Sequence, residues 1–275
     1  MEFIILIASA FGGGLFGALI GALPAFIMVG IIGLAGMTAG AGAADLVGNV
    51  AFGSFFGPHI AFAGGVAATA YAHNKNKIES GGNILLPMAK LNDPMTLIVG
   101  GMFGSLGFVI NHIYGSILAM PTDTIAMTVF TSGMIARILF GKTGLFGEKC
   151  ADGSRAFVPT KESGIFLITM GLGAGLISAY YAVTTGLVVL GFLVSATTLI
   201  FTQMGHPVPG THHITLISAS AALASGSILI GATFGVLSAL LGDFIGNAFN
   251  SFCDSHIDPP AGAIFLLSFV IIIFL

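Results

Sequence analysis

Charged residues are scarce in this sequence and tryptophan is missing. Only 7% of the 275 residues are charged, 56% are hydrophobic, and there is no tryptophan. A soluble domain carries about 25% charged residues, so this chain has too few to cover a water-facing surface. The mean hydropathy of +1.04 and the 41 glycines, which allow membrane helices to approach closely, indicate an integral membrane protein in a lipid bilayer.

Cysteine usage and net charge exclude further classes of protein. Cys150 and Cys253 are isolated from each other, which argues against a disulfide framework or a zinc finger. The net charge of −3 is too small to suggest nucleic acid as a partner, and we predict no cofactor. The N-terminal stretch MEFIILIASAFGGG has no positively charged start, so we interpret it as a first membrane span and not as a cleaved signal.

The basic residues fall in two short zones, Lys75 to Lys90 and Arg137 to Lys161. Because cytoplasmic loops carry an excess of Lys and Arg, we expect loops 73–92 and 142–163 to be cytoplasmic, in a plasma (inner) membrane. The apolar stretches before, between and after these zones, at about 20 residues per crossing, predict an all-α protein. It would have about ten transmembrane segments, with both termini outside.

The two halves of the chain resemble each other in hydropathy and in the order of their polar residues. We divide the chain into a first membrane repeat (1–141), a cytoplasmic linker (142–163) and a second membrane repeat (164–275). The alignment pairs His59 with His213, His112 with Asp243, and Asp123 with Asp258. An odd number of segments per half, five, predicts that the second half is inserted upside down. This plan resembles, in architecture only, the five-plus-five inverted repeats of several transporter and channel families, and sites in inverted repeats lie near the midplane.

Helix-breaking residues interrupt the apolar sequence at corresponding places, near 53–60 and 205–213. Pro207 and Pro209 cannot continue a helix, and Gly57 and Pro58 precede the matching segment of the first half. Broken or re-entrant helices there would aim two N-termini, which carry partial positive charge and free N–H groups, at a shared centre. The alternative is an ordinary external loop over 205–212.

The polar residues near these breaks and helix ends form the candidate site. Substrate contacts are predicted from Pro58, His59, Thr211, His212, His213, Thr215, Asp45 and Asn49, and ion or proton coupling from His112, Asp243, Asn247, Asp123 and Asp258. A carboxylate inside a membrane is costly and usually functional or paired, and histidine titrates near neutral pH. The alternatives are a solvated Asp45, a His112 and an Asp243 at water-facing helix ends, and N-cap roles for Asp123 and Asp258.

These features favour a transporter that moves a small polar or charged solute through a site at the midplane, with proton coupling or pH sensitivity. A passive channel for a small solute or ion is the first alternative, and a membrane subunit of a larger complex is the second. A metal-dependent intramembrane enzyme is a further alternative, although we do not predict an enzyme; its ligands would come from His206, His212, His213, Asp254, His256 and Asp258. The glycine-rich outer faces would permit a homo-oligomer.

Overall fold

The computed structural model describes residues 1–39, 45–148 and 155–275, and these ranges are helical with no β-strand among them. Their ten main helices are α1 (Glu2–Ile20), α2 (Ala22–Thr38), α3 (the π-helical turn Pro58–Phe62 followed by Ala63–Asn74), α4 (Pro94–Ile117), α5 (Thr124–Phe140), α6 (Lys161–Thr185), α7 (Leu190–Gln203), α8 (His212–Ser225), α9 (Ile228–Asn250) and α10 (Pro259–Phe274). A short π-helix, Leu46–Ala51, lies between α2 and α3. Part of the predicted linker, with Cys150, lies outside the described residues.

Four of these helices, α1, α4, α6 and α9, are long and apolar enough to cross a membrane. They contain between 19 and 25 residues, and a helix rises about 1.5 Å per residue against a hydrocarbon core of about 30 Å. Helices α2, α5, α7 and α10 are also apolar but have 10–17 residues. An all-helical fold is confirmed, whereas the number of crossings stays a prediction.

Small residues bring the backbones of the long helices into contact. Helix α1 packs along α4, and α6 packs along α9. A Cβ added to Gly14 of α1 would lie 2.3 Å from the carbonyl oxygen of Gly100, and one added to Gly235 of α9 would lie 2.8 Å from that of Gly171. Only glycine permits such close approach, which is how membrane helices gain van der Waals packing.

Helices α3 and α8 form the centre of the molecule. Helix α3 packs against α1, α4 and α5, and α8 packs against α6, α9 and α10. Non-helical backbone precedes both, over 52–57 and 205–211, so helix breaks lie close to the two predicted places. The predicted boundaries were too long at their ends, because Pro58 and His59 already lie in the first turn of α3 and His212 and His213 in the first turn of α8.

The two halves of the chain meet along two helix pairs, α2 against α7 and α5 against α10. In the first pair, a Cβ on Gly30 would lie 2.7 Å from the carbonyl oxygen of Leu193. In the second pair, the hydroxyl of Thr122, just before α5, donates to the carbonyl of Phe265 in α10. These contacts place the interface between the halves at the second and fifth helix of each.

Arg137, near the end of α5, fastens this interface at one end. Its side chain is 1% exposed. The guanidinium donates to the Ser255 hydroxyl at 2.9 Å and carbonyl at 2.7 Å, to the side chain of Asn250 at 3.1 Å, and to the carbonyls of Leu145 and Phe249. All five N–H groups of the guanidinium therefore have acceptors. Two of these, the Phe249 carbonyl and the Asn250 side chain, lie at the C-terminus of α9, where the helix dipole is negative.

Candidate functional site

A cavity of about 470 Å³ lies between the two halves. Helices α2, α3 and α5 form its wall on one side, and α7, α8 and α10 form it on the other. The helix residues on the wall are Leu23, Phe26, Pro58, Phe62, Asp123 (the residue before α5), Ile125, Ala126 and Val129 from the first half, and Val189 (the residue before α7), Phe192, Leu199, Thr202, His212, Leu216, Asp258 (the residue before α10), Pro259, Pro260, Ala261 and Ile264 from the second. Pockets of this size accommodate small organic molecules.

Aromatic rings make up much of the wall. Phe26, Phe62 and Phe192 are buried, and Phe52, from the connection between α2 and α3, lies beside them. The ring of His212 packs against two of these rings, with centroid distances of 4.7 Å to Phe26 and 5.7 Å to Phe192. This part of the cavity presents an apolar, π-rich surface.

Two carboxylates face the cavity from the starts of α5 and α10. Asp123 accepts a hydrogen bond from the N–H of Ala126 at 2.8 Å, and Asp258 accepts one from the N–H of Ala261 at 2.8 Å. Both are therefore N-caps, which bind the free N–H groups of a first helical turn, as the alternative interpretation of the sequence expected. Because they also line the cavity, the N-cap role and a role in binding are compatible.

The surroundings of the two carboxylates differ. Asp258 also pairs with the Nε2 of His256 at 3.2 Å, and His256 lines the cavity. Asp123 has no such side-chain partner in the described part of the chain. Within that same part, no Lys or Arg lines the cavity.

The histidines that the sequence singled out, His59 and His213, lie behind the cavity wall. Both are buried, at 3% and 6% exposure, and neither lines the cavity. The Nδ1 atom of each has no hydrogen-bond partner within the described ranges. Their neighbours Pro58 and His212, which are also among the predicted substrate contacts, do line the wall.

Thr211 and Thr215 have local roles at the start of α8. Thr211 is the N-cap residue, and its carbonyl accepts from the N–H of Thr215 at 3.0 Å. The buried hydroxyl of Thr215 lies 3.3 Å from that of Ser195, and its carbonyl accepts from the hydroxyl of Ser178 at 2.7 Å. These bonds tie α8 to α7 and α6. Thr215 lines a second cavity of about 280 Å³.

Four further candidates pair with each other away from the main cavity. Asp45 and Asn49 are both exposed, and the Asn49 amide donates to the Asp45 carboxylate at 3.2 Å. Asn247 donates to Asp243 in the same way at 3.1 Å. His112, the remaining candidate, packs against the ring of Phe3 at 5.0 Å. None of these residues lines the main cavity, and the i to i+4 spacing that drew attention to the two pairs accounts for their internal hydrogen bonds.

Of the residues considered as metal ligands, His212, His256 and Asp258 line the main cavity, but the six residues do not form one ligand group. Asp254 accepts from the backbone N–H of Lys142 at 2.6 Å and from the hydroxyl of Thr143 at 2.9 Å, and His206 is exposed. Within residues 1–39, 45–148 and 155–275, no three His, Cys, Asp or Glu side chains form a group that could hold a metal ion.

Sequence reasoning missed the aromatic part of the site and the buried Arg137. The sequence analysis does not distinguish the phenylalanines from other apolar residues, although the alignment that pairs His59 with His213 also pairs Phe62 with Leu216. Arg137 was counted as a marker of a cytoplasmic loop, although it stands alone in the apolar run TSGMIARILF. An ionisable residue in such a run usually faces the interior of a helical bundle.

The chain belongs to a family of unknown function, DUF7973, whose model matches residues 1–164 and 155–275. The two matched segments overlap over residues 155–164, which span the end of the connection between α5 and α6 and the first residues of α6. Neither a curated protein nor a solved structure matches the chain.

Proposed function

We propose that this protein is a membrane transporter that moves a small solute through the cavity between its two halves. The observation that carries the proposal is that the two halves contribute equivalent helices to the cavity wall: the second, third and fifth helix of each half. Cavities at the interface of two repeats are the binding sites of many transporters.

Individual lining residues also occupy equivalent positions in the two halves. Helix α3 contributes Pro58 and Phe62, and α8 contributes His212 and Leu216, both pairs four residues apart. This equivalence aligns His59 with His213, as the sequence alignment did.

The fifth helices repeat the pattern. The first half contributes Asp123, Ala126 and Val129, and the second half contributes the residues at the same spacing, Asp258, Ala261 and Ile264. Such regular equivalence favours the proposed arrangement of ten segments as two five-segment repeats.

The position of the basic loops supports an inverted insertion. The loop before α10 contacts both basic zones, through a bridge between Gly81 and Ser255 and through the bond from Lys142 to Asp254. If this end of the bundle is cytoplasmic, α5 enters the cytoplasm where α10 leaves it. Both termini are then outside, in a plasma (inner) membrane.

The pairing of α2 with α7 and of α5 with α10 suggests how the solute would pass. In inverted-repeat transporters one bundle rocks against the other around a fixed central site. Here the cavity lies where these two pairs meet, so a change of the angle between the halves would alter access to it.

Filling the cavity tests the proposal. Val129 is 5% exposed and lines the cavity, whereas Val183 of α6 is 39% exposed. In proteoliposomes, we expect Val129→Trp to abolish the flux of a transported solute and Val183→Trp to leave it unchanged. The solute is found by screening cationic, anionic and neutral small molecules against empty liposomes.

A second measurement covers the case in which Val129→Trp does not fold. In a chain whose native cysteines are replaced by serine, Val129→Cys should react with a small membrane-permeant thiol reagent, because it faces the cavity. A Cys at Val66, which is 3% exposed and lies in α3 away from the cavity, should stay unreactive. Flux that survives Val129→Trp, or equal labelling of both cysteines, would contradict the proposal.

A further inference from the structure

We infer that the cavity binds a small organic cation, a protonated amine with an apolar body, and that Asp123 is its principal ionic partner. The inference rests on the proposed function in taking the cavity as the solute site. It narrows the solute from any small polar or charged molecule to one chemical class.

The charge around the cavity selects for a cation. Asp123 and Asp258 line it, and in the described part of the chain no basic Lys or Arg side chain does. Each carboxylate lies at a helix N-terminus, whose dipole is equivalent to about half a positive charge. The starts of α3 and α8, whose first residues Pro58 and His212 also line the cavity, add similar partial positive charges. The only full charges that Asp, Glu, Lys or Arg side chains place on the described wall are nevertheless the two negative ones, and these attract a monovalent cation at close range.

Of the two carboxylates, Asp123 has more free hydrogen-bond acceptor positions. Backbone N–H groups at the start of α5 are its only partners within the described ranges, and a carboxylate offers about four acceptor positions. Asp258 is bound on both oxygens, by His256 on Oδ1 and by Ala261 on Oδ2. An incoming N⁺–H group would therefore find its free acceptor at Asp123.

His212 is a further polar side chain on the cavity wall. Its side chain lines the cavity, the residue is only 7% exposed, and its Nδ1 has no hydrogen-bond partner in the described part of the chain. A buried polar group without a partner costs free energy. A neutral imidazole has one acceptor nitrogen, so an ammonium group beside His212 would supply the missing donor.

The rings around His212 fit the rest of such a molecule. Phe26, Phe62 and Phe192 are buried on the wall. Their faces attract a cation through the ring quadrupole, and their surface buries alkyl or aryl carbon. A strongly polar neutral solute would lose its water here with few groups to replace it.

Three small probes share a phenyl ring and differ in charge. At neutral pH benzylamine is a cation, benzyl alcohol is neutral and benzoate is an anion. Each would be added to protein in nanodiscs of a lipid without net charge, and thermal unfolding would be followed by circular dichroism. A ligand that binds the native state raises its stability. We expect benzylamine to raise Tm and the other two to raise it little or not at all.

The variant Asp123→Asn tests the assignment of the partner. Asparagine is as good an N-cap as aspartate, so α5 should still begin at the same place while the charge is lost. We expect the dissociation constant of benzylamine to rise about ten- to a hundredfold, the loss of a hydrogen bond to a charged group. The matched control is Asp93→Asn, which changes the N-cap of α4 away from the cavity and should leave binding unchanged.

The outcomes separate this inference from the proposed function. Binding of benzyl alcohol or benzoate as tight as that of benzylamine would overturn the cation assignment, and so would equal effects of the two Asn variants. Failure of all three probes to bind would also overturn it. In each of these cases the flux measurement with Val129→Trp still decides separately whether the cavity is the transport site.

Discussion

The contact between α1 and α4 gives a prediction with a built-in control. Gly12 and Gly14 are both in α1, two residues apart and therefore on different faces. A Cβ added to Gly14 would lie 2.3 Å from the carbonyl oxygen of Gly100 and 2.7 Å from the Cα of Gly104, whereas one added to Gly12 would meet nothing within 4 Å. Replacement of each by alanine thus makes the same chemical change in two different surroundings.

The magnitudes follow from two terms. Alanine has less conformational freedom than glycine in the unfolded chain. Replacing glycine by alanine inside a helix therefore raises the free energy of unfolding by about 0.5–1 kcal/mol, and this term is the same in both variants. Only Gly14→Ala adds overpacking, which typically costs about 1–3 kcal/mol. The clash is with backbone atoms, which cannot rotate away. We therefore expect Gly12→Ala to stabilise the protein slightly. The free energy of unfolding of Gly14→Ala should be about 1–3 kcal/mol lower than that of Gly12→Ala.

Thermal unfolding of both variants in the same detergent measures the difference directly. A destabilised Gly14→Ala beside a neutral or stabilised Gly12→Ala is the expected result. Equal melting temperatures would refute the reasoning, because they would mean that α1 does not present Gly14 to α4. A fall in both would indicate that Gly12 also lies in an interface, such as one between copies of the chain.

Three further predictions concern the second half, the buried arginine and an exposed ion pair. Gly171→Ala should destabilise more than Gly173→Ala, because a Cβ on Gly171 lies 2.8 Å from a backbone Cα whereas one on Gly173 meets nothing; thermal unfolding in the same detergent measures this difference, and equal Tm values would be evidence against the α6–α9 contact. Arg137→Lys keeps the charge but offers three donors instead of five, so denaturation should show a loss of at least about 2 kcal/mol, and an unchanged stability would contradict the buried network. The Lys77 side chain lies 2.5 Å from the Asp93 carboxylate, and this hydrogen bond holds the pKa of Asp93 below its ordinary value of 3.8. The pair therefore contributes its full stabilisation above the ordinary pKa of Asp93 and loses it as the pH falls through the lowered pKa. The Tm difference between wild type and Lys77→Met should shrink over that acidic range, and a difference that grows in acid would contradict this.

The helix breaks and caps were predictable because they depend on local chemistry. Proline has no N–H to donate and glycine lacks a Cβ, so the stretches before Pro58 and around Pro207 could be recognised without knowledge of the fold. The same is true of Asp123 and Asp258, whose short carboxylates suit a helix start. In each case the residue and its immediate neighbours in the chain, and not a distant partner, determine the structure.

The inward-facing residues were harder to predict because most helices are apolar on every side. A helix that is hydrophobic all round has no amphipathic period to reveal its buried face, as MEFIILIASAFGGG illustrates. The sequence prediction of a site therefore depends on polar residues, and it includes Asp45 and Asn49. These two residues are exposed and hydrogen-bond to each other. The cavity is instead marked by Phe26 and Phe192, whose importance depends on contacts between segments far apart in the chain.

The start of α10 is tied to its surroundings more firmly than the start of α5, and this difference should be measurable. In the loop before α10, Ile257 is fully buried, its N–H donates to the side chain of Asn250 at 3.0 Å, and Ser255 accepts from Arg137. In the loop before α5, Leu118 is 56% exposed, and the contact of Thr122 with α10 is the side-chain bond that reaches across to the other half.

Local stability follows buried contacts and internal hydrogen bonds. Hydrogen exchange of the protein in nanodiscs should therefore be slower over 251–258 than over 118–123. Arg137→Lys should accelerate exchange over 251–258 and leave that over 118–123 unchanged. If the two halves rock during transport, the weaker attachment lies at the end that carries Asp123, so movement should begin there. Equal exchange in the two loops would remove this asymmetry and the order of movement inferred from it.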